Sequence, residues 1–376
     1  MKAVFIYSDD FGLYSYGYEH PMQPVRLRLT YELITSYGFL DTGSELVKAR
    51  RANENELLLF HAGEYIKALK GANEGIISIE DGLHFALGHG DNPVFKGVYD
   101  WSLYSVGASI QAAELVLKGD ADIAFNICGG LHHAMRERAS GFCYFNDAAI
   151  AIEHLVRSGM RVAYVDIDAH HGDGVQTAFY DSDRVLTISL HENGNYLFPG
   201  TGFIDEVGMN KGYGYSINLP FLPGADDDIF VTGFENIVPI FLNRFKPDIL
   251  VTQLGVDTFR TDPITHLNLT TNGFEKMVRL FDSFKLPWVS LGGGGYNISN
   301  VARAWTLAWA IMSGREVAEI MPASFTEMAL DYGIKDSCIN DTPFSLSNKE
   351  REVILSDAKS SIERLVKNVL PLIKKI

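Results

Sequence analysis

Short runs rich in β-branched and aromatic residues alternate with helical patterns along most of this chain, and that alternation limits the possible folds. Several runs are apolar at every position, as strands are in a parallel sheet covered by helices on both faces. The pattern therefore predicts an α/β fold with an open, doubly wound, mainly parallel sheet flanked by helices. The predicted strands are 2–8, 122–127, 161–168, 184–191, 215–221, 248–255 and 287–295, and the predicted helices are 106–118, 146–158, 226–245, 272–284 and 299–313.

Two segments depart from the alternation. Residues 8–100 contain helical patterns at about 24–36 and 53–72 and Gly-rich irregular pieces, which we expect around the edge of the sheet. Near the other end, an apolar stripe at helical spacing predicts an amphipathic helix over about 350–370 that docks on the sheet and ends near Pro371. Its members are Ile362, Leu365, Val366, Val369 and Leu370. Because no repeat or linker interrupts the pattern, we predict a single domain over 1–376.

Charge and cysteine content restrict the partners. The 47 acidic and 32 basic residues give a net charge of −15, which argues against a general nucleic-acid-binding surface. Three scattered cysteines without a CxxC motif favour a reducing, cytoplasmic location. No apolar stretch reaches the roughly 18 residues of a spanning helix, so we expect no membrane association. The opening "MKAVFIYSDD" is predicted to be a first strand and not a signal peptide.

Unusual segments follow four of the predicted strands. In open parallel sheets, ligands bind at the carboxyl ends of the strands, where the loops converge. The four segments are therefore expected to face one pocket. They are "NICGGLHHAMRERASGFCYFND" (126–147), "VDIDAHHGDG" (165–174), "QLGVDTFRTDP" (253–263) and "LGGGGYN" (291–297).

The second segment predicts a metal site. Asp166, Asp168 and His170 alternate along one predicted strand and so point to the same side. Such a group would be costly to bury without a cation, although a solvated acidic loop is the other interpretation. A divalent metal held by Asp168, His170 and Asp257 would keep one position open for water, as a catalytic zinc site requires. This oxygen-rich set also suits Fe²⁺.

The first segment supplies two adjacent histidines, His132 and His133. Asp166 and Asp173 are not needed as ligands, and each could orient one imidazole toward the water molecule. Two such pairs beside a metal would form a proton-transfer apparatus. A surface pair or a core pair of histidines is the alternative interpretation.

The fourth segment places Tyr296 after a glycine run. Glycines allow the backbone to approach another group closely, so the Tyr296 hydroxyl could donate to an oxyanion opposite the metal. A tyrosine that only packs is the alternative. The run is not a P-loop, because no Gly-Lys-Ser/Thr follows it.

Together these motifs resemble the histone deacetylase family, including the bacterial acetoin-utilisation deacetylases, which share the arginase/deacetylase fold. The likeness extends from 16–39 through 300–310 and includes "SLHENGNYLFPGTG" (189–202) besides the four segments. It implies a zinc-dependent amidohydrolase that removes acetyl groups from Nε-acetyl-lysine of proteins or peptides by activating water.

The resemblance also implies residue roles. Asp168, His170 and Asp257 match the zinc ligands, and Tyr296 matches the residue that polarises the acetyl carbonyl. His133, paired with Asp173, matches the general base, and His132, paired with Asp166, matches its electrostatic partner. The substrate-binding positions are Asp91 at the rim and Gly141, Phe142, Phe198, Ile264 and Gly294. Potassium sites match Asp166, Asp168, His170, Ser189 and Leu190, and a second set of Phe179, Ser182, Val185 and Tyr215.

Departures from the family narrow the expectation. Three basic residues that bind inositol phosphate and a corepressor in animal nuclear members correspond here to the uncharged Gln23, Pro263 and Ser299, so we do not expect that partner.

The rival functions are an acetylpolyamine amidohydrolase, a catalytically silent acyl-lysine-binding scaffold and an arginase-like two-metal enzyme. The first would carry an acid where Ile264 stands, the second would lack a ligand, a dyad member or the tyrosine, and the third needs carboxylates at 132 and 133. The oligomeric state stays open.

Overall fold

The computed structural model describes residues 2–41, 44–88 and 90–374. Within them, eight strands form one sheet in which every neighbouring pair is parallel, in the order β2-β1-β3-β8-β7-β4-β5-β6. The strands are β1 (Ala3–Tyr7), β2 (Ser44–Lys48), β3 (Ile123–Asn126), β4 (Val162–Asp166), β5 (Val185–Glu192), β6 (Ser216–Phe221), β7 (Ile249–Gln253) and β8 (Trp288–Leu291). This is the predicted open parallel sheet.

Helices flank the sheet in two packed series. In one, α1, α10, α9, α8 and α12 contact one another in that order, and in the other α5 packs against α3 and α6. Apart from edge strand β2, the strands are buried along their whole length, which explains why both faces are apolar. The helices are α1 (Val25–Ser36), α2 (Glu54–Leu57), α3 (Gly63–Asn73), α4 (Ile79–His84), α5 (Val98–Leu117), α6 (Asp147–Arg157), α7 (Asp173–Phe179), α8 (Asp227–Phe245), α9 (Thr271–Ser283), α10 (Ile298–Met312), α11 (Ala323–Ala329) and α12 (Asn348–Arg364).

Several predicted elements were wrong in their bounds. The helix predicted over 106–118 begins at Val98, and the strand predicted over 287–295 ends at Leu291. The helix predicted over 53–72 is two helices, because the chain leaves α2 to bring His61 into the core, where its Nε2 accepts the Asn146 N–H at 2.9 Å. The strand predicted over 161–168 ends at Asp166. Asp168 and His170 therefore lie in the loop before α7, and strand alternation does not explain their shared direction.

Strand β2 was not predicted. It pairs with β1 at the edge of the sheet, and the side chains of Glu45, Leu46 and Lys48 are exposed. An edge strand with solvated side chains lacks the apolar run that marks a central strand.

The C-terminal segment is helical almost to the end of the described residues. After α12 it continues through a π-helical turn at Leu365–Val369 and a 3₁₀ turn at Leu370–Leu372. Leu365 and Val369 are buried, and α12 contacts α8 and β6. Of the single domain predicted over 1–376, residues 1, 42–43, 89 and 375–376 lie outside the described residues. No described helix is both long and apolar enough to cross a lipid bilayer.

Candidate active site

Four neighbouring strands, β3, β8, β7 and β4, end at one edge of the sheet. The loops that leave them are the four unusual segments, and the structure brings their polar side chains together. The parallel arrangement is the cause, because it places all four carboxyl ends on the same side.

Asp168, His170 and Asp257 form a buried cluster at this edge. Their ligand atoms all lie within 4.8 Å of one another. His170 Nδ1 lies 2.9 Å from Asp257 Oδ2 and 3.2 Å from Asp168 Oδ1. Burial opposes protonation of the His170 ring, but the two carboxylates outweigh it and raise its pKa well above the usual value. The cluster thus attracts positive charge strongly.

The protein engages one oxygen of Asp257 and both oxygens of Asp168, whose Oδ1 accepts the His170 N–H at 3.0 Å. Asp168 Oδ2 accepts from Gln253 Nε2 at 2.6 Å and from Gly294 N at 2.7 Å. Asp257 Oδ1 accepts from Ala169 N at 2.8 Å. Asp168 Oδ1 and Asp257 Oδ2 consequently face His170, and the three groups converge as ligands of one cation do.

Glycines make room for this convergence. A Cβ on Gly294 would lie 2.1 Å from Asp257 Oδ2, and a Cβ on Gly255 would lie 2.0 Å from Asp168 Oδ2. Any other residue at either position would displace a carboxylate. Two carboxylates, one imidazole and this close backbone fit a divalent cation with an oxygen-and-nitrogen ligand set.

The two histidines are buried beside the cluster, each with its own carboxylate. His132 Nδ1 lies 2.7 Å from Asp166 Oδ2, and His133 Nδ1 lies 2.7 Å from Asp173 Oδ1. Burial disfavours a charge on His132, but Asp166 and Asp168 outweigh it and raise its pKa to about 9. Burial and the charge of His132 lower the pKa of His133 to about 4. One ring is therefore charged and the other neutral near pH 7.

Tyr296 and two phenylalanines surround the cluster. The Tyr296 ring lies 6.5 Å from the His170 ring and perpendicular to it, and 5.6 Å from the Phe142 ring. Phe198 packs edge-on against His133 at 5.0 Å and His170 at 6.4 Å. Burial raises the pKa of Tyr296 well above its usual value, so its hydroxyl stays protonated and can donate.

Gly141 is held against these aromatic rings. Its φ is +50°, and a Cβ there would lie 2.6 Å from the His133 ring and 2.8 Å from the Phe198 ring. This predicted substrate-binding position therefore requires glycine for both conformation and space.

The other predicted rim residues lie farther out. Asp91 is exposed, and its backbone oxygen lies 3.3 Å from His20 Nε2, whose ring packs on Phe142. Ile264 is half-buried, and its N–H donates to Asp262 Oδ1 at 3.1 Å.

The predicted potassium positions fall into two groups. Ser189 pairs with Asp166 across strands β5 and β4, and its hydroxyl lies 2.8 Å from His191 Nδ1. Leu190, Phe179, Val185 and Tyr215 are buried, and Ser182 is half-buried. Potassium binding at either group stays a prediction.

The positions that replace the basic residues of the nuclear relatives carry no positive charge. The Gln23 amide donates to the His20 backbone oxygen at 2.5 Å, and the Ser299 hydroxyl donates to Asp336 at 2.6 Å. Both polar groups are engaged within the chain, and Pro263 is exposed.

Sequence reasoning missed several groups that orient the site, Arg26 and Tyr164 among them. The buried Arg26 donates to the backbone oxygens of Gly293 and Gly295 at 2.8 and 2.9 Å, and so holds the glycine loop. Tyr164 donates to Asp166 Oδ2 at 2.7 Å. The sequence offered one signal for each: Arg26 is a basic residue within an apolar helical pattern, and Tyr164 lies two positions before an acid on a buried strand.

Comparisons with known proteins agree with this arrangement. The family model described as "Histone deacetylase domain" matches residues 20–312. The acetoin utilization protein AcuC of Bacillus subtilis is 42% identical over 327 residues, covering 85% of this chain and 84% of the relative. Human histone deacetylase 1 is 38% identical over 370 residues, covering 98% of this chain and 75% of the relative.

A solved structure extends the agreement to the fold. The crystal structure of an HDAC homologue from Aquifex aeolicus has a TM-score of 0.88 and 34% identity, covering 97% of this chain and all of that chain. Sequence, fold and the arrangement of the site therefore lead to one conclusion: this chain belongs to the histone deacetylase family, whose members are deacetylase hydrolases acting on amide bonds.

Proposed function

We propose that the chain is a zinc-dependent hydrolase that removes acetyl groups from Nε-acetyl-lysine in proteins or peptides, with 1–376 as a single catalytic domain. The convergence of Asp168, His170 and Asp257 beside two His–Asp pairs carries the proposal. Hydrolysis of an unactivated amide requires a metal-binding site in contact with groups that transfer protons, and this arrangement offers both.

Asp168, His170 and Asp257 would hold the cation, which we take to be Zn²⁺, with Fe²⁺ as the alternative. When bound, such an ion lowers the pKa of a water ligand and polarises a carbonyl oxygen. The buried carboxylates support this assignment, because they need a positive charge to offset their desolvation.

The chain's own groups handle the protons. His133, neutral near pH 7, takes a proton from the attacking water and passes it to the departing lysine amine. His132 carries a positive charge that stabilises negative charge developing on the substrate. The Tyr296 hydroxyl donates to the acetyl oxygen as that oxygen becomes an oxyanion.

The surrounding residues suit a long, apolar substrate arm. Phe142 and Phe198 flank the cluster, and they would contact the lysine methylenes, with Asp91 at the rim accepting substrate backbone N–H groups. We further propose that potassium binds as a structural ion at each of the two predicted groups, the one that contains Ser189 and the one that contains Tyr215. An acetylated protein or peptide is the expected partner, and the net charge of −15 argues against direct nucleic-acid binding.

The test is a substrate screen with purified protein of measured metal content. We expect turnover of acetyl-lysine peptides that a chelator abolishes and added Zn²⁺ restores. The Asp173→Asn variant, which retains all three cation ligands, should bind metal and lose most turnover. Metal-loaded protein that binds these peptides without releasing acetate would contradict the proposal and favour the silent scaffold.

A further inference from the structure

We propose that Asp262 is a positioning residue that sets Tyr296 over the acetyl carbonyl. This inference rests on the proposed role of Tyr296. Asp262 lies in the loop that follows Asp257. It contacts the backbone of the tyrosine and not its ring: Asp262 Oδ2 accepts the Tyr296 N–H at 2.8 Å.

The Asp262 carboxylate is used entirely as a backbone acceptor. Its Oδ1 accepts the Ile264 N–H at 3.1 Å, and the side chain is buried with only 8% exposure. Over the described residues, no lysine, arginine or histidine forms an ion pair with it. A buried carboxylate without a counter-charge is costly, and the two N–H groups that it binds stabilise it.

Tyr296 follows a glycine-rich segment whose residues have no side chains to restrict the backbone. Gly293 and Gly295 have φ of +130° and +136°, a region that glycine alone enters readily. Arg26 fixes the backbone oxygens of both glycines, and Asp168 fixes the Gly294 N–H. These bonds end at residue 295. Among the described residues, the bond from Tyr296 N–H to Asp262 is the one that fixes the tyrosine's own backbone.

The same carboxylate also sets the substrate rim. The other oxygen of Asp262 accepts the Ile264 N–H. One carboxylate therefore binds the backbones of both the predicted rim residue Ile264 and the predicted oxyanion donor Tyr296. A hydroxyl displaced by about 1 Å loses much of its contribution to the transition state. Loss of Asp262 should therefore lower kcat mainly through Tyr296.

A double-mutant cycle with Tyr296→Phe tests this route. Tyr296→Phe should lower kcat by about 10²–10³-fold. Asp262→Ala should lower kcat by at least about 10-fold in the parent protein, and by less than about 3-fold in the Tyr296→Phe background, because residues that act as a unit are not additive. Asp262→Asn keeps one acceptor oxygen without the charge, so it should recover part of the loss.

A matched control is Asp227→Ala. Asp227 is a partly buried carboxylate that accepts from the backbone N–H and the hydroxyl of Thr270, and neither bond reaches the site. Its substitution should leave kcat unchanged. Equal factors for Asp262→Ala in both backgrounds, or no effect in the parent, would overturn the inference.

Thermal unfolding and metal content should accompany every variant. If Asp262→Ala does not fold, Asp262→Asn replaces it in the cycle. Loss of metal by both variants would also overturn the inference, because Asp262 would then support the ligand loop. Undiminished turnover by Tyr296→Phe alone would instead contradict the proposed function, so the two failures are distinguishable.

Discussion

The Nε2 atoms of His132 and His133 lie 3.0 Å apart, and this contact fixes the number of protons on the pair. Each Nδ1 faces a carboxylate at 2.7 Å, so both Nδ1 atoms are protonated. At 3.0 Å the two Nε2 atoms are within hydrogen-bond distance, and one of them must carry a proton to donate to the other. The pair therefore carries a single positive charge, which belongs to His132 because its pKa is raised and that of His133 is lowered.

This division of charge predicts unequal effects of the two histidines. His133→Ala should reduce kcat at least about 10³-fold, because the neutral base is lost. His132→Ala should leave measurable turnover, because only electrostatic stabilisation is removed. Single-turnover rates with an acetyl-lysine peptide check both, and the opposite ranking would assign the base to His132.

A second prediction concerns pH. His133 acts only when neutral, so kcat/KM should fall as the pH drops toward its pKa of about 4. His132 acts when charged, so kcat/KM should also fall as the pH rises through about 9. A bound dication would repel a proton on either ring and so lower both pKa values, which moves the acidic and the alkaline limb of the profile to lower pH. In the His132→Ala profile the alkaline limb should disappear, and its persistence would place that limb on another group.

The third prediction concerns the cation. Asp257→Ala removes one of three ligands and should lose bound metal together with activity, while the sheet stays folded. Elemental analysis and circular dichroism measure the two properties. Asp173→Asn is the control that should keep the metal. One full equivalent of metal in Asp257→Ala would remove Asp257 from the ligand set.

Gly141 provides the fourth prediction. A methyl group there would meet the His133 and Phe198 rings, so Gly141→Ala should reduce kcat/KM by at least about 10-fold through displacement of the base. Gly119 also has a positive φ, of +74°, but a methyl group on it would have no neighbouring atom within 4 Å. Gly119→Ala therefore carries a similar backbone cost, about 1–2 kcal/mol, without the intrusion, and should keep full activity. Equal activity losses would attribute the effect to backbone strain.

The last prediction separates peptides from polyamines. An enzyme that selects a polyamine needs an acid near the tunnel mouth, because a placed carboxylate favours a cation over a neutral competitor. Ile264 offers none. Acetyl-lysine peptides should therefore exceed acetylspermidine and acetylputrescine by at least about tenfold in kcat/KM, or about 1.4 kcal/mol. Ile264→Glu should narrow the gap. Equal or faster turnover of acetylpolyamines by the parent would favour the polyamine amidohydrolase.

Sequence periodicity predicted the central sheet well, because strands buried on both faces leave continuous apolar runs. It failed where a contact from elsewhere in the chain decides the local structure. His61 interrupts a helical pattern to accept a hydrogen bond from Asn146. The turn that aligns Asp168 with His170 depends on bonds that join the loop after β4 to Gln253, at the end of β7, and to Asp257, in the loop after β7.

The predicted site residues came together because they follow strands that are neighbours in the sheet. Groups that only orient them were harder to find. Gln253 ends a strand and resembles any polar cap, and Asp262 acts through a backbone N–H that no spacing rule identifies. The distance between residue numbers hides such bonds, since Arg26 and Gly295 are 269 positions apart.

The bond from Ala169 N to Asp257 Oδ1 joins residues 88 positions apart, and its consequence concerns folding. The ligand cluster exists only after β4 and β7 have paired, and the tyrosine loop is added only when β8 joins them. Contacts of such long sequence separation form late and require closure of large loops. We therefore expect that a nascent or partly unfolded chain would not assemble the proposed cation site, and that hydrolytic competence would arise only once these strands have paired.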